Sequence, residues 1–140
     1  MKPKAIVIHE LEHALVAVAI ARELGKPVWL WSASDAASYA GIGWFDAIAG
    51  RVKAVPGGKA IRLVLDCGDR AELVQAAFRQ GIRDVCYVGD ERLAARLKDI
   101  AKQRRARLHR CRPRIALDLL HAKDPRTALR AWLTGPGTAH

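Results

Sequence analysis

Short β-branched runs alternate with helix-patterned segments along this chain, and that alternation predicts an α/β fold with a parallel sheet. Glycine, proline and aspartate recur at the joints between segments, where turns and helix caps need them. With 140 residues, 51% of them hydrophobic, the chain is the size of one domain and can build a core without disulfides or metals.

The elements follow in order. Lys4 to Ile8 reads as the first strand. Glu12 to Leu24 has helical spacing, and Gly25 is suited to stop it. Pro27 to Trp31 is continuously apolar, as in a strand covered on both faces, with Trp29 and Trp31 on the same face. A helix is expected within Tyr39 to Val55, with Trp44 in the core, closed by Pro56-Gly57-Gly58. Ala60 to Leu65 is the third strand. Asp69 is expected to cap a helix from Arg70 to Gln80, which Gly81 ends. Asp84 to Val88 is the fourth strand, and Asp90 caps a basic helix from Glu91 to about Arg107. Arg114 to Leu119 is the fifth strand. Asp124-Pro125 opens a last helix, with proline at its first position. The best architecture is a three-layer α/β/α sandwich around an open, mainly parallel sheet of about five strands, flavodoxin-like or Rossmann-like. One domain is expected over residues 1–134, followed by a loose tail over 135–140.

The stretch GDRAELVQAAFRQGIRDVCYVG, within residues 61–108, resembles the later half of bacterial response-regulator receiver domains. A helix ends Arg-Gln-Gly and a strand then starts at an aspartate, as in that family. The resemblance implies fold alone. Where the family carries a lysine before a proline, this chain has Val88 and Gly89. Its first strand ends in His9-Glu10 and not in an acidic pair, so phosphoacceptor chemistry is not implied.

The longest apolar run, Ala14 to Ala21, is far short of the roughly 20 residues that a membrane-spanning helix needs. His9, Glu10, Glu12 and His13 interrupt the signal-peptide-like start, so a cytoplasmic protein is expected. Cys67, Cys86 and Cys111 are scattered and form no CxxC pair. Cys86 is expected in the core. Cys67 lies beside aspartates, which disfavour a thiolate.

The net charge is +10. Residues 91–140 hold 13 of the 24 Lys and Arg but only 4 of the 14 Asp and Glu. Lys98, Lys102, Arg104, Arg105, Arg107, Arg110, Arg112 and Arg114 form the basic stretch. Such a stretch attracts polyanions or is simply a solvated face. No aromatic residue lies between Tyr87 and Trp132 to stack on bases, so nucleic acid is the second choice of partner.

Polar residues gather where the predicted strands end. His9 and Glu10 follow the first, and Ser32, Ser34 and Asp35 the second. Asp66, Cys67 and Asp69 follow the third, and Gly89 and Asp90 the fourth. In a parallel sheet these carboxyl ends share one edge, where open α/β folds bind ligands and helix N-termini favour anions. His9 or His13 would carry a proton, and Asp66 would act as a base or metal ligand. Ser34 would help cradle an anion, with Glu10, Ser32, Asp35, Asp69, Gly89 and Asp90 as further ligand contacts.

Residues 9–13, His-Glu-Leu-Glu-His, match the zincin pattern H-E-x-x-H. That chemistry needs both histidines on one helical face, but His9 directly follows a strand, so no metal ligand set is assigned. Gly41 and Gly43 form no GxGxxG and no P-loop.

The expected function is binding of a small anionic metabolite at the carboxyl edge of the sheet, with catalysis left open. The alternatives are an interaction module with a basic surface, for nucleic acid or protein, and a zinc-dependent hydrolase using HELEH. No cofactor is fixed by any motif, and no membrane partner is expected. Open sheet edges make a homodimer a further expectation.

Overall fold

A computed structural model describes residues 2–135. The expected tail, apart from Gly135, lies outside them. In chain order the elements are β1 (Lys4–Val7), α1 (Leu11–Leu24), β2 (Val28–Trp31), α2 (Ala36–Tyr39), α3 (Ile42–Ala54), a 3₁₀ turn (Gly58–Ala60), β3 (Arg62–Asp66), α4 (Ala71–Arg79), β4 (Asp84–Cys86), α5 (Glu91–Gln103), β5 (Arg107–His109), β6 (Ala116–Asp118) and α6 (Pro125–Thr134). The strands form a single parallel sheet in the order β5-β4-β3-β2-β1-β6, an α/β fold. The chain divides into two compact units. The first holds Met1–Trp31, Ile48–Arg62 and Pro113–His140, and the second Ser32–Ala47 and Leu63–Arg112.

In the first unit β1 lies between β2 and β6. Val7 is level with both Trp31 and Asp118, so the carboxyl ends of the three strands align. Ala5, Ile6 and Val7 are all buried, as expected of a central strand covered on both faces. Trp29 and Trp31 share a face of β2, and their rings meet edge-on at 4.9 Å. Helix α1 buries Ala14, Ala17, Val18 and Ala21, the spacing of one helical face. It ends at Gly25 in the left-handed conformation (φ 64°), where the Lys26 N–H closes onto the Ala21 carbonyl at 3.0 Å. Helix α6 starts at Asp124, whose carboxylate accepts from the Thr127 N–H, with Pro125 in the first turn.

In the second unit Asp66 of β3 is level with Cys86 of β4, and Cys86 with His109 of β5. Helix α4 buries Val74, Ala77 and Phe78, and α5 buries Ala94, Leu97 and Ala101. Each set recurs at three- and four-residue intervals, as one packed stripe of an amphipathic helix does. Burying Phe78 alone is worth about 2–3 kcal/mol.

Five expectations change. The sheet has six strands because Arg107–His109 forms β5. The basic helix therefore stops at Gln103, and Arg105 takes a left-handed turn (φ 56°) to start the strand. Asp69 does not cap α4: the cap position is Arg70, which makes no side-chain bond to the helix. Asp69 itself is exposed. The expected strand over Asp84 to Val88 ends at Cys86. In α3 the fully buried aromatic is Phe45, while Trp44 is half-buried.

Candidate functional site

In the first unit the chain leaves β1 at Ile8, turns through His9 and Glu10, and enters α1 at Leu11. The level carboxyl ends of β1 and β6 put His9 beside Asp118, with Nε2 2.6 Å from Oδ1. The same Oδ1 accepts the Leu120 N–H at 2.9 Å. Partial burial pushes the Asp118 carboxyl up, but the Leu120 N–H and the His9 ring outweigh it and hold the group below the usual carboxylate range. An ionised Asp118 fixes Nε2 of His9 as the donor. This orients the ring as the aspartate of a catalytic triad does.

His13 lies behind this pair. Its Nδ1 accepts the backbone N–H of His9 at 3.0 Å, and the two rings meet edge-on at 6.0 Å. Burial pushes its pKa below the ordinary histidine value, and an Nδ1 that accepts belongs to the neutral ring. His13 therefore braces the turn, and of the two it is His9 whose ring is hydrogen-bonded to a carboxylate. Glu10 is exposed at the N-cap of α1 in an extended conformation (φ −155°, ψ 166°) and makes no side-chain cap bond. His9 thus precedes the helix, and the two histidines do not share a helical face, so HELEH does not form the zincin arrangement. Among the described residues, no group of three or more His, Cys, Asp or Glu is placed to hold a metal ion.

In the second unit Asp66 is the hub of a buried network. Its Oδ1 accepts the N–H groups of Asp35 (3.0 Å) and Gly68 (2.7 Å), and its Oδ2 accepts from Arg112 at 2.9 Å. The Ser32 hydroxyl, fully buried, accepts the Asp66 N–H at 2.9 Å. Asp35 is held with a left-handed backbone (φ 58°, ψ 25°), which is costly for a residue other than glycine. Its Oδ2 accepts from the Ser38 hydroxyl at 2.8 Å, whereas Oδ1 is buried without a hydrogen-bond partner. Gly68 (φ 60°) passes so close that a Cβ would sit 2.7 Å from that Oδ1. Asp66 thus positions the Asp35 loop.

The structure brings Ser32, Asp35 and Asp66 together in one unit, and His9 with His13 in the other. Ser34 is exposed, and Asp69 makes no hydrogen bond with the Asp66 network. Asp90 is occupied as the cap of α5, accepting the Leu93 N–H at 3.1 Å. The Gly89 carbonyl accepts from Arg110, and a Cβ at Gly89 would collide with the Tyr87 hydroxyl. Cys67 and Cys86 are buried, and burial first, then Asp66, pushes both thiols up to about 12. Neither is a nucleophile at neutral pH.

Sequence reasoning missed Asp118, Arg112 and the pair Asp84–His109. An acidic residue at the end of the Ala-Leu-Asp strand is the signal that would have found Asp118. The basic stretch is also used differently from a free patch. Arg104 donates to the Phe78 carbonyl, Arg107 to Asp84, Arg110 to the Tyr87 and Gly89 carbonyls, and Arg112 to Asp66.

No protein-family model matches the chain, and no curated protein matches its sequence. A solved structure of a candidate fructose-1,6-biphosphate aldolase from Coccidioides immitis is similar in fold, with a TM-score of 0.60 at 20% identity. The match covers 76% of this chain and 39% of that one, so it spans about two fifths of that protein. At this identity the likeness extends to the α/β fold alone. No helix among the described residues is long and apolar enough to cross a membrane.

Proposed function

We propose that this α/β domain binds a small anionic metabolite at the carboxyl ends of its strands, with His9 as the proton carrier. The observation that carries the reading is the 2.6 Å bond from His9 to Asp118, beside the uncapped first turn of α1. A carboxylate-oriented imidazole is the standard means of moving a proton near neutral pH. Free N–H groups at a helix start favour a phosphate or carboxylate. On this reading Glu10 and the α1 backbone contact the ligand, and His13 and Asp118 position His9. Ser34, Asp35, Asp69, Gly89 and Asp90 belong to the other unit, where Asp66 and Ser32 form a polar cluster of their own. The likeness in fold to a candidate sugar-phosphate enzyme supports a small-molecule role.

The interaction-module alternative has less behind it, because four arginines of the basic stretch are engaged within the fold. The test is a thermal-shift screen of phosphorylated and carboxylated metabolites, followed by calorimetry on the strongest binder with His9→Ala and Asp118→Asn. A loss of affinity of about tenfold or more in each is expected, the size of one charge-assisted contact. Unchanged affinity in both folded variants would overturn the reading. Steeply salt-dependent binding to nucleic acid, with no small-molecule hit, would favour the interaction module.

A further inference from the structure

The opposite ends of the strands in the first unit hold a different feature. A cleft of about 830 Å³ opens beside the amino ends of β1 and β2. A neighbouring cleft of about 510 Å³ shares Lys2, Lys26 and Trp29 with it. Volumes of roughly 300–1,000 Å³ are typical of small-molecule pockets. The floor of the larger cleft is apolar, with Val18, Val28, Trp29 and Ile61 among its residues. Every charged residue described in its wall is a cation: Lys2, Arg22, Lys26 and Arg62. Among the described residues the neighbouring cleft adds Lys4 and no carboxylate.

Several cations elsewhere in the chain are engaged within the fold. Lys4 is bonded to the Trp132 and Gly135 carbonyls. Arg130 pairs with Glu23, and Arg104, Arg107, Arg110 and Arg112 are engaged as described. Among the described residues Lys2, Arg22 and Lys26 have no ion pair. Like charges around an apolar cleft repel one another, and the low dielectric of its floor strengthens the field inside it. An anion relieves that repulsion, and an apolar body covers the floor. Neither inorganic phosphate nor a neutral hydrocarbon does both.

We propose that this amino-end cleft is a second binding site, for a small amphipathic organic acid whose apolar body lies on Val18, Val28 and Ile61 and whose anionic head meets Arg22 and Lys26. The site lies at the other end of the strands from His9, so it stands or falls separately from the function proposed above.

The probe is 1-anilinonaphthalene-8-sulfonate, an aromatic anion, titrated into the whole chain by fluorescence and displaced with dodecanoate. The neutral analogue N-phenyl-1-naphthylamine and inorganic phosphate are the comparisons. One saturable site is expected, emptied by dodecanoate and not by phosphate. Arg22→Glu and Lys26→Glu should each weaken the anionic probe about tenfold or more and leave the neutral probe within about twofold. Lys98→Glu on α5 and His9→Ala should leave both unchanged. Val18→Trp, which fills the cleft, should abolish binding of both probes. If that variant fails to fold, the two charge reversals decide. Equal loss in Lys98→Glu, no loss in Arg22→Glu and Lys26→Glu, or non-saturating uptake of many dye molecules would each overturn the proposal.

Discussion

Replacing Asp84 by Asn should destabilise the protein by about 2 kcal/mol at neutral pH, and this cost should vanish in acid. The Asp84 side chain is 4% exposed. Its Oδ1 accepts from His109 Nε2 at 2.9 Å, a diagonal neighbour across the β4–β5 ladder, and from Arg107 Nε at 3.1 Å. The His109 side chain is 18% exposed, so its bond to a charged acceptor is worth about 1.5–3 kcal/mol. Arg107 is 53% exposed, and solvent screening reduces its share to roughly 0.5 kcal/mol. Asparagine keeps an acceptor oxygen but loses the charge, which brings the expected loss to about 2 kcal/mol, or about 6 °C in Tm for a chain of this size.

Burial pushes the Asp84 carboxyl up, but the His109 bond and the Arg107 charge more than reverse this and hold it below its usual range. A carboxyl depressed in the folded state contributes stability that is fully present above its unfolded pKa of about 3.9. That contribution is lost as pH falls through the lower, folded value. Urea unfolding followed by circular dichroism at pH 7, and then at the lowest pH where the native protein persists, measures the gap. It should be full at pH 7 and close below about pH 4. An equal gap at both pH values, or none at pH 7, would refute the reasoning.

The buried thiols give a second expectation. With Cys67 and Cys86 pushed up to about 12 and only Cys111 exposed, Ellman's reagent at pH 8 should titrate one thiol quickly in the folded protein. It should titrate three in denaturant, and a second fast native thiol would show that the Asp66 region is open. Gly68→Ala and Gly25→Ala separate backbone strain from contact. Both glycines have φ near 60°, but only Gly68 faces Asp35 Oδ1 at 2.7 Å, and a Cβ at Gly25 meets nothing within 4 Å. Gly25→Ala should cost about 1 kcal/mol and Gly68→Ala about 1–3 kcal/mol more, measured by thermal unfolding. Equal costs would remove the case for that close approach.

Much of the architecture was legible because it rests on local chemistry. Gly25 stops α1 because only glycine enters the left-handed region without cost. Asp90 and Asp124 cap their helices because a short acceptor next to an apolar-periodic segment satisfies its free N–H groups. The unbroken apolarity of the β2 segment announced a strand covered on both faces. Strand β5 was hidden because its three residues, Arg-Leu-His, carry no β-branched run. It forms by pairing with β4 and through the bonds of Arg107 and His109 to Asp84.

The candidate site divides in the same way. That polar residues collect at strand ends follows from the βα repeat alone. The partnership of His9 with Asp118, 109 residues apart in sequence, requires β6 to pair with β1, and no local signal encodes a strand's neighbour. Apart from α2 and β5, the sequence by itself determined where helices, strands and ligating residue types fall, because propensity, capping and periodicity act over a few residues. Only the tertiary structure decided that Asp66 is a tethered hub, that His9 has a carboxylate partner and that Lys2, Arg22 and Lys26 border an apolar cleft, because those facts depend on which distant segments meet.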